Sequence, residues 1–279
     1  MTDDPSAALR EQARERGRRL LADAPYAEFA DRATLLLTSP PTGLALTTPP
    51  HVAAFWLLVE ADAARALPDP MRRALMSGGS YVERMRPAAA TRELAVDLTV
   101  SSDGAAAIAG SGRRALEARW AIRHAEALHD RLGRHAQLIA AANRYPDDAP
   151  ERIVRSLWLP AVSAVRALWV LGDAPAAVAL PVAGEASAML CRLACVFDEG
   201  DHPTPDLLLP AARQTRIGRR IATWLDDLAS ALCDDEAATR RVGAAAEQVL
   251  REVTGVLGEL YRDRAWLREP EAYALRPSR

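Results

Sequence analysis

Lysine is absent from this chain of 279 residues, so all 35 basic side chains are arginine. Schiff-base catalysis, pyridoxal-phosphate anchoring, Walker A nucleotide binding and protein-kinase chemistry each require a side-chain amine. Arginine cannot supply one, because its guanidinium stays protonated and is a poor nucleophile. The sequence therefore excludes these four classes of chemistry.

Cysteine is also scarce, and the three present are Cys191, Cys195 and Cys233. They form no CxxC pair and suggest no disulfide framework, which predicts a reducing, cytoplasmic compartment. Cys191 and Cys195 lie four residues apart in an apolar run. Such a spacing places both on one helical face, where packing is favoured over metal binding.

Long uncharged apolar runs are missing as well. Residues 157–193 form the most apolar stretch, but charged side chains interrupt it, so we expect no membrane span. Residues 1–19 alternate acidic and basic side chains and lack the apolar core of a signal peptide. The net charge of −2 offers no general attraction for nucleic acid or for an anionic membrane. Neither is predicted as a partner.

The pattern of the chain changes near residue 110. Apolar runs at 33–38 and 53–59 predict strands, and residues 93–100 alternate strictly, with Asp97 in the middle of the polar face. Helical spacing covers residues 6–22 and most of the chain after residue 110, over about 111–131, 133–143, 150–172, 175–198, 213–233 and 235–262. The sequence predicts an α/β domain over residues 1–110 and a helical domain over residues 111–279.

A strand, a Ser/Gly turn, a second strand and a later strand bearing an acid follow one another in this order. The run LLLTSPPTGL contains Ser39 and Gly43, AVDLTV contains Asp97, and WAIRHAEALHD spans residues 120–130. The arrangement resembles the nucleotidyltransferase superfamily, the group of kanamycin nucleotidyltransferase and related small-molecule adenylyltransferases. The resemblance implies an α+β fold, in which a small mixed β-sheet domain precedes a C-terminal α-helical bundle.

The metal site departs from that family. Its members hold two divalent metals with an Asp-x-Asp pair on the second strand and a third Asp nearby, which Asp97 resembles. The pair should fall at residues 51–54, where this chain has His-Val-Ala-Ala. Thr38 also replaces a glycine that lets backbone amides approach phosphate closely. We therefore expect two-metal transfer to be lost, and we predict neither a metal nor another cofactor.

The candidate site residues follow from the resemblance and from residue type. Those predicted to act in catalysis are Asp97, His124 and His129, and those predicted to line the ligand are Ser39, Thr42, Gly43, His51, Trp56 and Arg123. Histidine alone titrates near neutrality unaided, which favours His124 or His129 as a general base. Their five-residue spacing keeps both from binding one metal on a helix.

Structural roles are the alternatives for these residues. Ser39 fits a simple turn, Asp97 an exposed strand position, and Arg123 the solvated face of a basic helix rather than an anion clamp. His129 and Asp130 together fit a helix cap. Trp56 would make the cleft wall apolar, which suits an uncharged or aromatic ligand.

The leading functional prediction is a repurposed cleft that binds and converts a small organic molecule without metal, in specialised metabolism by analogy with the family. One alternative is an active Mg-dependent nucleotidyltransferase that uses Asp97 and displaced acids such as Glu60, Asp62 and Glu93. Another is a non-catalytic partner subunit. A homodimer is an expectation that comes from the resemblance alone.

Overall fold

A computed structural model of the chain describes residues 5–39, 41, 52–60, 62–86, 94–131, 133–145, 148–171, 174–231, 233 and 235–274. The chain divides into two compact units, Met1–Arg144 and Tyr145–Arg279. The first unit holds a β-sheet with helices. All secondary structure described in the second unit is helical. The predicted α+β class is therefore confirmed.

The first unit contains all five described strands and five α-helices. The strands are β1 (Ala33–Ser39), β2 (Val52–Val59), β3 (Ser80–Met85), β4 (Ala95–Ser101) and β5 (Glu126–Asp130). The helices are α1 (Pro5–Ala22), α2 (Asp69–Met76), α3 (Gly104–Ile108), α4 (Arg113–Arg123) and α5 (Arg134–Ala142), with short 3-10 helices at Tyr26–Arg32 and Ala63–Ala66. The predicted opening helix and the first three predicted strands are confirmed.

The strands form one mixed sheet in the order β3-β4-β2-β1-β5. β2 runs parallel to β4, and the other three neighbouring pairs are antiparallel. β1 and β2 occupy the interior of the sheet and have mostly buried side chains on both faces. Continuous apolar runs such as ATLLLT and AAFWLLV are typical of strands covered on both sides.

The two faces of the sheet carry separate core clusters. On the first face, alternate residues such as Phe55, Leu57 and Leu98 pack with α1, α2 and Tyr26. On the second face, Leu36, Trp56 and Leu58 pack with residues of α3, α4 and α5.

Helix α1 lies close against the first face, and Gly17 permits the approach. A Cβ at this position would overlap Cδ1 of Leu128 and lie 2.9 Å from Cε1 of Phe55. Arg14, one turn earlier, binds both carboxylate oxygens of Glu126 on β5, at 2.8 and 3.0 Å. Close packing and a bidentate ion pair together hold α1 on the sheet.

Two elements of the sheet differ from the sequence predictions. Residues 126–130 form β5 rather than the end of a helix over 111–131, because they pair with β1. This pairing also joins α4 and β5 to the first unit, so the division falls after Arg144 and not near residue 110. Residues 80–85 form β3, for which the sequence analysis predicted no strand.

The second unit consists of helices α6 to α14. They are α6 (Ala149–Val170), α7 (Ala176–Glu199), α8 (Pro205–Ala212), α9 (Arg216–Arg220), α10 (Ala222–Ala231), α11 (Glu236–Ala244), α12 (Ala246–Tyr261), α13 (Ala265–Arg268) and α14 (Pro270–Ala274). Helices α6 and α7 are long and apolar enough to cross a membrane, but 44% and 56% of their most apolar windows are buried within the protein. Core helices pass the same test, so this is weak evidence for a span.

The predicted helix over 213–233 is divided at Ile221 into α9 and α10, and a separate helix, α8, precedes it. Thr215 accepts a hydrogen bond from the N–H of Gly218 at 3.0 Å and thereby caps α9. The Thr215 hydroxyl also donates to the carbonyl of Ala212, the last residue of α8, at 2.7 Å. One side chain thus ends α8 and begins α9.

Candidate ligand-binding site

The strand registers bring four positions into one row on the second face of the sheet. Ser39 lies opposite Ala54, Ala54 opposite Asp97, and Asp97 opposite Arg84. A β-bulge between Leu37 and Ser39 shifts the register of β1 here, so Ser39 rather than Thr38 faces Ala54. Directly paired residues share a face, so the row places Ser39 and Asp97 on the same side of the sheet, two strands apart.

Asp97 is held by Arg84 of the neighbouring edge strand β3 and by Arg86, which directly follows that strand. Its carboxylate accepts a hydrogen bond from Nη1 of Arg86 at 2.9 Å, and Nε of Arg84 lies 4.0 Å away. The Arg84 side chain is 71% exposed, against 33% for Asp97. Two cations beside one carboxylate leave a local excess of positive charge, and the longer contact leaves the donors of Arg84 available to a ligand.

Trp56 stands one position further along the same face of β2. It is 7% exposed, and its indole N–H is buried with no hydrogen-bond partner among the described residues. Thr99 lies opposite Trp56 on β4, and both Thr99 and Ala54 are half-buried. A buried indole N–H usually has an acceptor, and none lies among the described residues. We use the term Asp97 row for the following seven residues: Ser39, Ala54, Asp97, Arg84, Trp56, Thr99 and Arg86.

Asp97 is the one carboxylate among the described residues of the Asp97 row. At the position where the resemblance implies an acid, Ala54 lies opposite Asp97. Glu60 and Asp62 lie at the other end of β2, about 20 Å from Ala54 at the rise of a strand. There Glu60 binds Arg134 at 3.0 Å and Asp62 binds Arg32 at 3.2 Å. Within the described part of the chain, no three His, Cys, Asp or Glu residues are grouped to hold a metal.

The two candidate histidines lie in different environments. His124 follows α4, stacks on Trp120 with ring centroids 4.1 Å apart and donates from Nδ1 to the Trp120 carbonyl. His129 lies on β5 opposite Leu35, on the first face of the sheet, and donates from Nε2 to the carbonyl of Ala30 at 2.8 Å. The sheet therefore separates His129 from Asp97, with two strands between them.

Asp130 takes the structural role that the sequence left open for His129 and Asp130. Its carboxylate accepts hydrogen bonds from the Thr34 hydroxyl and from the N–H groups of Arg134 and His135, at 2.9 to 3.0 Å. Burial alone would raise the pKa of Asp130, but these hydrogen bonds outweigh it and lower the pKa. Asp130 thus caps α5 from the end of β5.

The remaining candidate ligand residues divide into two groups. Arg123 is half-buried in the last turn of α4, where a cation is favoured by the helix dipole. Thr42, Gly43 and His51 lie outside the described residues, as does Glu93 among the displaced acids, so their roles stay predictions.

Arg84 and Arg86 were missed by the sequence analysis. The sequence feature that could have predicted strand β3 is the alternation in SYVERM. In the structure, Tyr81, Glu83 and Met85 are more buried than the residues between them. The run is short and directly follows Gly78-Gly79, and the sequence analysis predicted no strand for it. A strand here would have pointed to an edge partner for the acid-bearing strand β4.

Comparisons with known proteins give only remote likenesses to solved structures. No family model and no curated protein matches the chain. Among solved structures, it is similar to a nucleotidyltransferase-like protein from Exiguobacterium sibiricum, with 14% identity over 90% of this chain and 80% of that one, at a TM-score of 0.37. So low a score carries no argument about function, which has to come from the residues of this chain.

Proposed function

We propose that this chain is a nucleotidyltransferase-like protein whose cleft has lost the metal site and binds a small organic molecule without metal. The observation that carries the proposal is the pairing of Ala54 with Asp97, together with the ion pair between Asp97 and Arg86. The position that would complete a metal site holds a methyl group. The one acid of the row is engaged by guanidinium.

The chemistry of the Asp97 row favours a ligand with oxygen acceptors. Arg84 offers guanidinium donors and Trp56 a buried indole N–H, while Ala54 and Thr99 form a floor of small side chains. A flat molecule bearing a carbonyl or carboxylate fits these donors and this floor. Binding is the function that this geometry supports best, because His129 lies on the opposite face from Asp97. A place in specialised metabolism rests on analogy with the family.

Nucleotide binding provides the first test. In calorimetric titrations with ATP and GTP, Mg²⁺ is expected to make no difference to the dissociation constant, because the Asp97 row offers one carboxylate where two metals need three. The control is Asp31→Asn, which removes an exposed acid paired with Arg131. Mg²⁺-dependent binding that Asp97→Asn abolishes and Asp31→Asn leaves intact would instead establish the metal-dependent nucleotidyltransferase.

A fragment screen by thermal shift in EDTA tests the positive side of the proposal. Flat, uncharged fragments with carbonyl oxygens should raise the melting temperature of the wild-type protein, and Arg84→Ala should abolish the shift. Arg72→Ala, which removes an exposed arginine on α2, should preserve it. The proposal is wrong if no fragment stabilises the protein, or if Arg84→Ala responds like the wild type.

A further inference from the structure

A second cleft lies on the first face of the sheet, the face opposite the Asp97 row. It has a volume of about 400 Å³ and lies between the end of α1, the segment at Tyr26, and the strand β3. Its apolar lining includes Leu20, Met71, Tyr81 and Met85. Its volume lies within the range of about 300–1,000 Å³ that is typical of small-molecule sites, and its walls combine these apolar side chains with polar ones such as Arg16 and Glu83.

Arg16 is the unusual polar residue of this cleft. The neighbouring arginines of α1 are paired with carboxylates: Arg14 binds Glu126, and Arg19 binds Glu15 at 3.1 Å. The half-buried Arg16 forms no ion pair with any described residue, and its Nε is buried without a hydrogen-bond partner there. Leaving a guanidinium N–H buried and unpaired is costly, so an anion that entered the cleft would relieve the cost.

The polar groups at the other end of the cleft already have a partner. Tyr26 is 5% exposed and donates from its hydroxyl to Oε2 of Glu83 at 2.6 Å. Burial and the Glu83 carboxylate raise the pKa of Tyr26, so the phenol stays protonated and keeps donating to Glu83. Asp23 also lines this part of the cleft, which makes it unfavourable for an anion. The anionic group of a ligand therefore belongs at Arg16 and its apolar part against the methionines.

Arg16 and Arg19 also line an adjacent cleft of about 590 Å³ along α1, so Arg16 stands where the two openings meet. The acids that line this neighbour, Glu11 and Glu15, are engaged by arginines of the same helix. Arg16 thus faces two openings, and its charge is not neutralised from either.

We propose that this cleft binds an amphipathic organic acid, with a single carboxylate on Arg16 and an apolar chain or ring against Met71, Tyr81 and Met85. The site is separate from the Asp97 row, because the sheet lies between them. It does not depend on the function proposed for that row.

Calorimetric titration with decanoate tests the proposal on the full chain. We expect one binding site, a dissociation constant about tenfold weaker in Arg16→Gln, and similarly weak binding of the uncharged analogue decanol to the wild type. The matched control is Arg18→Gln on the same helix, since Arg18 is 61% exposed and does not line the cleft. It should bind decanoate as the wild type does.

Two further variants keep the outcome unambiguous. Met85→Trp fills the apolar end and should weaken decanoate binding while leaving Arg16 in place. Arg84→Ala, which changes the other face, should leave decanoate binding unchanged. Equal affinity of wild type and Arg16→Gln, or equal affinity for decanoate and decanol, would overturn the proposal. Loss of binding in Arg84→Ala would show that decanoate occupies the Asp97 row instead.

Discussion

Replacing Gly218 with alanine is expected to destabilise the unit Tyr145–Arg279 by more than about 3 kcal/mol, enough to unfold it at moderate temperature. A Cβ at this position would overlap the carbonyl oxygen of Ala212 and lie 2.6 Å from its carbonyl carbon. The obstacle is backbone at the end of α8, which no side-chain rotation can move. Relief would have to separate α8 from α9 and break the cap that Thr215 makes between them.

Urea unfolding monitored by circular dichroism measures this effect. The matched control is Gly255→Ala, because Gly255 is exposed within α12 and a Cβ there meets nothing within 4 Å. Alanine is the better helix former, so this control should gain about 0.5–1 kcal/mol. Equal stability of Gly218→Ala and wild type would contradict the close approach of the two helices.

Removing the carboxylate of Asp130 should have the second largest effect, a loss of about 3 kcal/mol from the first unit. Asp130→Ala leaves the completely buried hydroxyl of Thr34 without its acceptor and uncaps two N–H groups of α5. It also loosens β5 from β1. The control Asp31→Ala removes an exposed acid paired with Arg131 and should change stability by less than about 1 kcal/mol.

The stabilisation by Asp130 should depend on pH with a definite sign. An aspartate in the unfolded chain titrates near pH 3.9, and the hydrogen bonds lower the pKa of Asp130 in the folded protein. Its contribution is therefore complete above about pH 4 and is lost as the pH falls through the lower, folded value. In urea unfolding measured from pH 7 to pH 3, the gap between wild type and Asp130→Ala should narrow at the acidic end. A gap that widens there would contradict this role.

Local pattern was sufficient to predict several elements of the fold. The alternation in ELAVDLTV placed Asp97 on the polar face of a strand, and β4 has it on the face opposite Leu98. The apolar runs predicted β1 and β2 in the same way. The apolar pattern of these segments lies within the segments themselves, so they can be recognised as strands without knowing their pairing partners.

Elements that depend on distant partners could not be predicted. The run EALHD has no strand pattern of its own and becomes β5 because β1, about a hundred residues earlier, offers an open edge. Its neighbours in sequence are helical, and continuity favoured extending the helix through it. Likewise, the close packing of Gly218 on the end of α8 joins two helices in space, and α8 itself lies where periodicity predicted no helix.

The candidate site was predicted only in part, for the same reason. Ser39, Trp56 and Asp97 share one face of the sheet, and their roles in binding or catalysis stay predictions. The bulge that turns Ser39 toward Ala54 and the arginines of β3 follow from register, and register has no local signal. His129 was predicted as a general base from its residue type, and as a strand residue it lies on the face opposite Asp97.

The position of β1 between β2 and β5 also bears on how the chain is made. Thr34 and its partner Asp130 are 96 residues apart, so the ribosome needs about 5–20 s to deliver the second after the first. During that interval the leucine-rich strand β1 has one edge unpaired, which is a template for aggregation. Yield of native protein should therefore depend on the speed of translation between residues 34 and 130, and on chaperones that cover that edge until β5 arrives.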